Sequence, residues 1–138
     1  MVSVAGVLGV LLLLAAGCAT VPPETAVSRA GQGRYEPLPA GGFAQVVQRS
    51  SGPVVLLFES PNCPYCRSLM ASVRKGVAKG KPWVVYTVNV FEDPGLRQQF
   101  GVGPVPCLVY FRDGKEVDRS TGWRPSFLVS GSLNSFFR

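Results

Sequence analysis

The sequence predicts an α/β domain with a central mixed sheet of about four to five strands and helices on both faces. Three observations predict it. Apolar, β-branched runs alternate with stretches of helical period, the pattern of strands that are crossed over by helices. The run Val54-Val55-Leu56-Leu57-Phe58 is continuously apolar, which calls for cover on both faces of the strand. Asp113-Gly114 separates the last two strand-like runs, a hairpin signal that ends the parallel part of the sheet.

The chain begins with a segment that does not belong to this domain. Residues 4–16 are an unbroken run of apolar and small residues, short for a bilayer span and of the length of a signal-peptide core. The run ends Leu14-Ala15-Ala16-Gly17-Cys18, which resembles a bacterial lipobox, where a lipidated cysteine becomes the new N-terminus. Leucine is usual where Ala15 stands, and no Lys or Arg precedes the run. The resemblance implies a signal peptide over 1–17 and lipid on Cys18, with Ala19 pointing to the outer membrane. The alternative is an ordinary signal peptide or uncleaved anchor with Cys18 incidental. Residues 18–40 are rich in Pro, Gly and small polar residues and are expected to form a flexible tether, with a short edge strand at 35–38.

The domain is expected over 41–138. Phe43, Val46 and Val47 share a helical face, so a first helix is expected at 42–49, broken by Ser51-Gly52-Pro53. A buried strand follows at 53–58. Asn62 is a suitable N-cap for the next helix, and Pro64 is tolerated in its first turn because its missing N–H would be unpaired there. Cys66, Leu69, Met70, Val73 and Val77 recur at helical spacing until Gly80 and Pro82. A second buried strand is expected at 83–90, and a short helix after Asp93-Pro94 carries Leu96 and Phe100. A third strand is expected at 107–111 and a fourth at 116–119. A closing helix at 125–137 offers Phe127, Leu128, Leu133, Phe136 and Phe137 as core contacts, and Trp83 and Trp123 are expected to pack.

Composition narrows the chemistry. The 138 residues suit one domain, 46% hydrophobic and 16% charged, with a net charge of +6. The basic residues Arg67, Arg74, Lys75, Lys79 and Lys81 lack interleaved aromatics and are expected to be a solvated helix face, so no nucleic acid is expected as a partner. With no histidine, catalytic triads, His metal ligands and His switches are excluded. Four cysteines do not make a disulfide framework once Cys18 is set aside.

The chemistry-bearing feature is Cys63-Pro64-Tyr65-Cys66, a C-x-x-C placed between a strand and a helix, with Val105-Pro106 heading a later strand. This is the arrangement of a thiol–disulfide redox site. At a helix N-terminus the backbone N–H groups and the helix dipole stabilise a thiolate, so Cys63 is the expected nucleophile. Cys66, one turn inside, is within disulfide reach and is the expected resolving cysteine. The alternative is half of a zinc site, for which only Cys107 is at hand as a third ligand.

Together with the order of elements, these motifs, Asp113-Gly114 and Gly122 resemble the thioredoxin superfamily over the whole of 41–138. Cys-Pro-Tyr-Cys is the glutaredoxin form of the site. The flanking Phe58-Glu59-Ser60-Pro61-Asn62 looks like exported thioredoxin-like proteins. Thr121-Gly122-Trp123-Arg124 stands where glutaredoxins bind glutathione through Gly-Gly-x-Asp. The resemblance implies a thioredoxin-like fold, a redox-active Cys63–Cys66 disulfide, and a cis Pro106. It implies that Val105 offers its backbone to a substrate peptide as an added strand would. Tyr65 is the candidate substrate contact in the middle of the motif.

Three departures matter. Thioredoxins carry a buried acid six residues before the first cysteine, where this chain has Leu57. Glu59, two residues on and on the same strand face, is the candidate proton acceptor for Cys66; the alternative is an exposed loop carboxylate. Asn62 replaces the Trp that precedes the first cysteine. Cys107 follows Pro106 and is either a third redox sulfur or a small core residue.

The function expected is disulfide reduction in exported proteins, on the periplasmic side of the cell envelope. The expected partners are those disulfide-containing proteins, the membrane through the lipid anchor, and a membrane electron donor of the type that serves periplasmic thioredoxins. No metal or cofactor is expected, and a monomer is expected. The alternatives are an envelope oxidant or isomerase, and a non-catalytic binding module or Cu(I) chaperone.

Overall fold

Five strands form one sheet in the order β1-β3-β2-β4-β5 in the computed structural model, which describes residues 32–138. The expected signal peptide and Cys18 lie outside the described residues. The strands are β1 (Arg34–Pro37), β2 (Pro53–Glu59), β3 (Val84–Asn89), β4 (Cys107–Arg112) and β5 (Lys115–Thr121). β1, β3 and β2 run parallel; β4 runs antiparallel to β2, and β5 to β4. The sheet is mixed, as expected, and the fold is thioredoxin-like α/β.

β2 lies at the centre because both faces of it are apolar. Val54 through Phe58 are all buried. Alternate side chains go to opposite faces. Val54, Leu56 and Phe58 join a cluster with Val47, Leu96 and Phe111; Val55 and Leu57 join another with Leu69, Val73, Val129 and Leu133. The helices α1 (Pro64–Ala78) and α3 (Ser126–Phe136) therefore cover one face. α2 (Pro94–Gln99) and a π-helical turn at Ala44–Gln48 cover the other. That turn replaces the α-helix expected at 42–49: the Arg49 N–H donates to the Ala44 carbonyl, five residues back, at 3.2 Å. It still delivers Phe43 to the core, edge-on to the rings of Phe100 and Phe111.

Several boundaries move for physical reasons. The edge strand expected at 35–38 is β1. Its Arg34 N–H donates to Trp83 O, and the Leu38 N–H that follows it donates to Thr87 O. The sheet thus takes in residues upstream of 41, and this part of the expected tether is a strand of it. β5 is longer than 116–119; all of it is exposed except Ser120, and its charged residues blunt the sheet edge. The hairpin before it places Asp113 at φ 51° and Gly114 at φ 76°, both positive as a two-residue hairpin turn requires. A Cβ at Gly114 would also collide with the Gln48 carbonyl.

The closing helix differs most from expectation. Val129 and Leu133 are its buried residues, with Phe136 and Phe137 partly covered. Phe127 and Leu128, expected in the core, are exposed, because they lie off the face that 129, 133 and 136 define. Trp83 packs as expected, against Gly76 of α1, where any Cβ would strike its ring. Trp123 does not pack: 59% of it is exposed.

Candidate active site

β2 leads through residues 60–62 into α1, and the cysteine pair sits at that junction. Cys63 occupies the N-cap of α1 in an extended conformation, and Pro64 opens the helix. Asn62, the expected cap, is exposed; the cap is made by sulfur, with the Cys66 N–H donating to Cys63 Sγ at 3.1 Å. A thiolate at Cys63 would keep this hydrogen bond and gain from the dipole of the fifteen-residue helix behind it. Cys63 and Cys66 form a disulfide with their Cα atoms 5.2 Å apart. Cys66 is fully buried, whereas Cys63 is partly exposed. An incoming disulfide can therefore reach only the outer sulfur.

The loop before β4 comes up against that sulfur. The Val105–Pro106 peptide bond is cis, and Val105 O lies 3.8 Å from Cys63 Sγ. In the reduced form the Cys63 S–H can donate to this carbonyl; in the disulfide it has no proton to give. The Gly122 N–H donates to Pro106 O at 2.9 Å, tying the loop to the end of β5. Val105 and Tyr65 thus stand next to the pair, and Tyr65 is 58% exposed. Its ring centroid is 5.9 Å from that of Trp123, which is expected to pack and instead lies beside the motif.

Glu59 ends β2, paired with Asn89 of β3. Its carboxylate lines a cavity of about 630 Å³ with Leu38, Met70, Asn89, Glu92 and Asp93. Burial, reinforced by the charge of Glu92, raises its proton affinity above that of an ordinary carboxylate. Among the described residues no hydrogen bond joins Glu59 to either cysteine; Met70, one helical turn beyond Cys66 on α1, lines the cavity, and neither cysteine does. Leu57, at the position of the acid in thioredoxins, is fully buried among Leu69, Val73 and Leu108.

Cys107 is a free thiol, 1% exposed, with Sγ 3.6 Å from Thr121 Oγ1. It packs with Phe58 and Phe111, on the sheet face opposite the one α1 covers. Among the described residues no group of three or more His, Cys, Asp and Glu is placed to hold a metal ion, so the partners that half a zinc site would need are not assembled.

The thioredoxin family model matches residues 36–132. The chain belongs to the thioredoxin family. It is 33% identical to thioredoxin 1 of Synechococcus elongatus over 93 residues, which cover 67% of this chain and 87% of that one. It is 36% identical to thioredoxin 1 of Nostoc sp. over 94 residues, 66% of this chain and 86% of the other. Among solved structures, Trxlp of Edwardsiella tarda aligns with a TM-score of 0.63 at 28% identity, covering 72% of this chain and 98% of its own. A mutant thioredoxin of Halobacterium salinarum aligns with a TM-score of 0.64 at 23% identity, over 79% and 94%, a likeness of fold. This member of the thioredoxin family is a thiol–disulfide oxidoreductase whose redox pair is Cys63–Cys66. Proteins of this family act on disulfide-containing protein substrates.

Proposed function

We propose that this thioredoxin works as a reductant of disulfides in exported proteins, on the periplasmic side of a bacterial cell envelope. The observation that carries the reading is the asymmetry of the pair: Cys63 is reachable at the start of α1 with a hydrogen-bond donor at its sulfur, and Cys66 is sealed behind it.

The reaction takes two exchanges. The Cys63 thiolate attacks one sulfur of the substrate disulfide, forming a mixed disulfide and releasing the other substrate sulfur as a thiolate, which takes up a proton. Cys66 then loses its proton and attacks Cys63 Sγ; the Cys63–Cys66 bond forms and the second substrate sulfur leaves as a thiol. The substrate gains two electrons and two protons, and the pair is left oxidised. Two electrons from a dithiol donor in the membrane reset it. Val105 would hold the substrate segment through backbone hydrogen bonds in the manner of an added strand.

Glu59 is our candidate for the group that takes the Cys66 proton, with water in the cavity as carrier, since the carboxylate is not in contact with the thiol. Its proton affinity, raised above that of an ordinary carboxylate by burial and by Glu92, suits a proton acceptor. The envelope address rests on the sequence of residues 1–19, with lipid on Cys18 as the anchor and the outer membrane as the destination.

An insulin-reduction assay coupled to trapping tests the reading. The wild type should reduce insulin with dithiothreitol as donor. Cys66→Ser should accumulate a mixed disulfide through Cys63, seen by mass, and Cys63→Ser should accumulate none. Trapping through Cys107 instead would assign the nucleophile elsewhere. Palmitate labelling of the wild type that is lost in Cys18→Ala supports the anchor; equal labelling removes it.

A further inference from the structure

Tyr65, Trp123 and Phe127 stand together beside the cysteine loop with 58%, 59% and 71% of each residue exposed. They line a cleft of about 280 Å³, together with Leu69, Pro125 and Arg124. Single exposed apolar residues are ordinary on a soluble protein, but adjoining aromatic rings left open to water mark a contact surface. None of these rings is needed by the core: α3 turns Val129 and Leu133 to the sheet and leaves Phe127 outside. The cleft has a sign as well as a shape. Arg124 is its charged residue, no carboxylate lines it, and the exposed Arg67 lies two residues along from Tyr65. The carboxylates of Glu59, Glu92 and Asp93 line a different cavity, and Asp118 lines a third, of which Arg124 forms the shared wall.

We propose that this cleft is a specificity subsite for the substrate polypeptide. It takes one bulky apolar side chain near the target cysteine, and Arg124 pairs with an Asp or Glu beside that side chain. The proposal rests on the dithiol reduction put forward above. The occupant is a substrate segment because the cleft is continuous with Tyr65, inside the cysteine motif, so a chain joined to Cys63 must pass over or beside it. A second copy meeting this face about a two-fold axis would set Arg67 and Arg124 against the same two cations. An acidic segment meets no such repulsion. An aromatic-lined slot with one placed charge is also the usual composition of a site that sorts side chains.

The test compares two disulfide-bearing peptides of equal length. One carries Leu and Glu on both sides of the target cysteine, and the other carries Ala and Lys at those positions. The readout is kcat/KM for reduction. The wild type should prefer the Leu/Glu peptide about tenfold, a difference of about 1.4 kcal/mol. Phe127→Ala should reduce the preference to about twofold, and Arg124→Glu should lower it to about twofold or less. Both positions are exposed, so folding should survive, and each ratio is internal to one variant. Equal rates for the two peptides with the wild type, or a preference unchanged in both variants, would overturn the subsite while leaving the reduction reading standing. No reaction with either peptide removes the reduction reading and the subsite with it. A change in tryptophan emission that requires phosphatidylglycerol vesicles, or that follows protein concentration alone, would assign the cleft to lipid or to a second copy and likewise overturn the proposal.

Discussion

On one side of Cys63 the ends of β1, β2 and β3 surround a cavity lined by Glu59, Asn89, Glu92 and Asp93. On the other side the connection between β5 and α3 sets Trp123, Arg124 and Phe127 against Tyr65. The pair itself is held by a strand-to-helix junction and lies against the Val105 loop. The flanks differ in chemistry: one is lined by Glu59, Glu92 and Asp93, the other by Tyr65, Trp123, Phe127 and Arg124. On the proposals above, proton handling falls to the first flank and recognition to the second, with the cysteines serving both.

The largest effect expected is on the shared part. Cys63→Ser should lower insulin reduction to the uncatalysed background, whichever flank is intact, because no other described thiol is exposed. Retained turnover would mean that the flanks do not serve this pair.

Next comes the placement of the acid. Leu57→Asp restores an acid where other thioredoxins have one, but here that position is fully buried among leucines and valines. An unpaired carboxylate there should cost about 3 kcal/mol at pH 7, and less in acid where it is neutral. Urea titration at the two pH values checks it. A variant as stable as the wild type would show that the acid could sit at either position, and that the recessed flank is not specialised for Glu59.

Smaller again is the peptide preference of the aromatic flank, about tenfold, equivalent to about 1.4 kcal/mol. It should be insensitive to Glu59→Gln; loss of the preference in that variant would merge the two flanks into one.

The smallest effect is the pH dependence of Glu59. Its proton affinity is raised in the folded state by burial and by Glu92. The folded protein therefore holds this proton more tightly than the unfolded chain. The associated stability is full below the unfolded carboxylate value of about 4.3 and is lost as pH rises through the folded one. Glu59→Gln should accordingly be slightly more stable than the wild type at pH 7, by about a few tenths of a kcal/mol given the partial exposure, and equal to it in acid. The same variant should flatten the pH dependence of mixed-disulfide release; an unchanged profile would remove Glu59 as proton acceptor and leave the cavity without a role in resolution.

What was legible in the sequence follows the same division. The β2 run, the cysteine pair after it and the Val105-Pro106 loop could be placed because burial on both faces forces an unbroken apolar run, and because a C-x-x-C has one useful place relative to a helix. The edges were harder. β1 was expected as a short edge strand at 35–38; its ladder with β3 and Tyr35 against the core extend it to Arg34, a start that its Pro- and Gly-rich surroundings do not show. β5 is mostly polar, with Val117 its one apolar residue and exposed, because nothing covers it, and only its ladder with β4 gives its true length. The cap of α1 was assigned to Asn62 by residue type, whereas the chain geometry gives it to the Cys63 sulfur. In α3, counting apolar residues put Phe127 and Leu128 in the core. Counting phase from Val129 and Leu133 would have left them outside, and with them the open cleft around Trp123.

The reductant reading depends most directly on one quantity, the equilibrium reduction potential of Cys63–Cys66 measured against a glutathione or dithiothreitol buffer series. A value of about −270 mV, at the thioredoxin end of the scale, is what the account predicts. A value of about −120 mV would contradict it and make this protein an oxidant of the envelope.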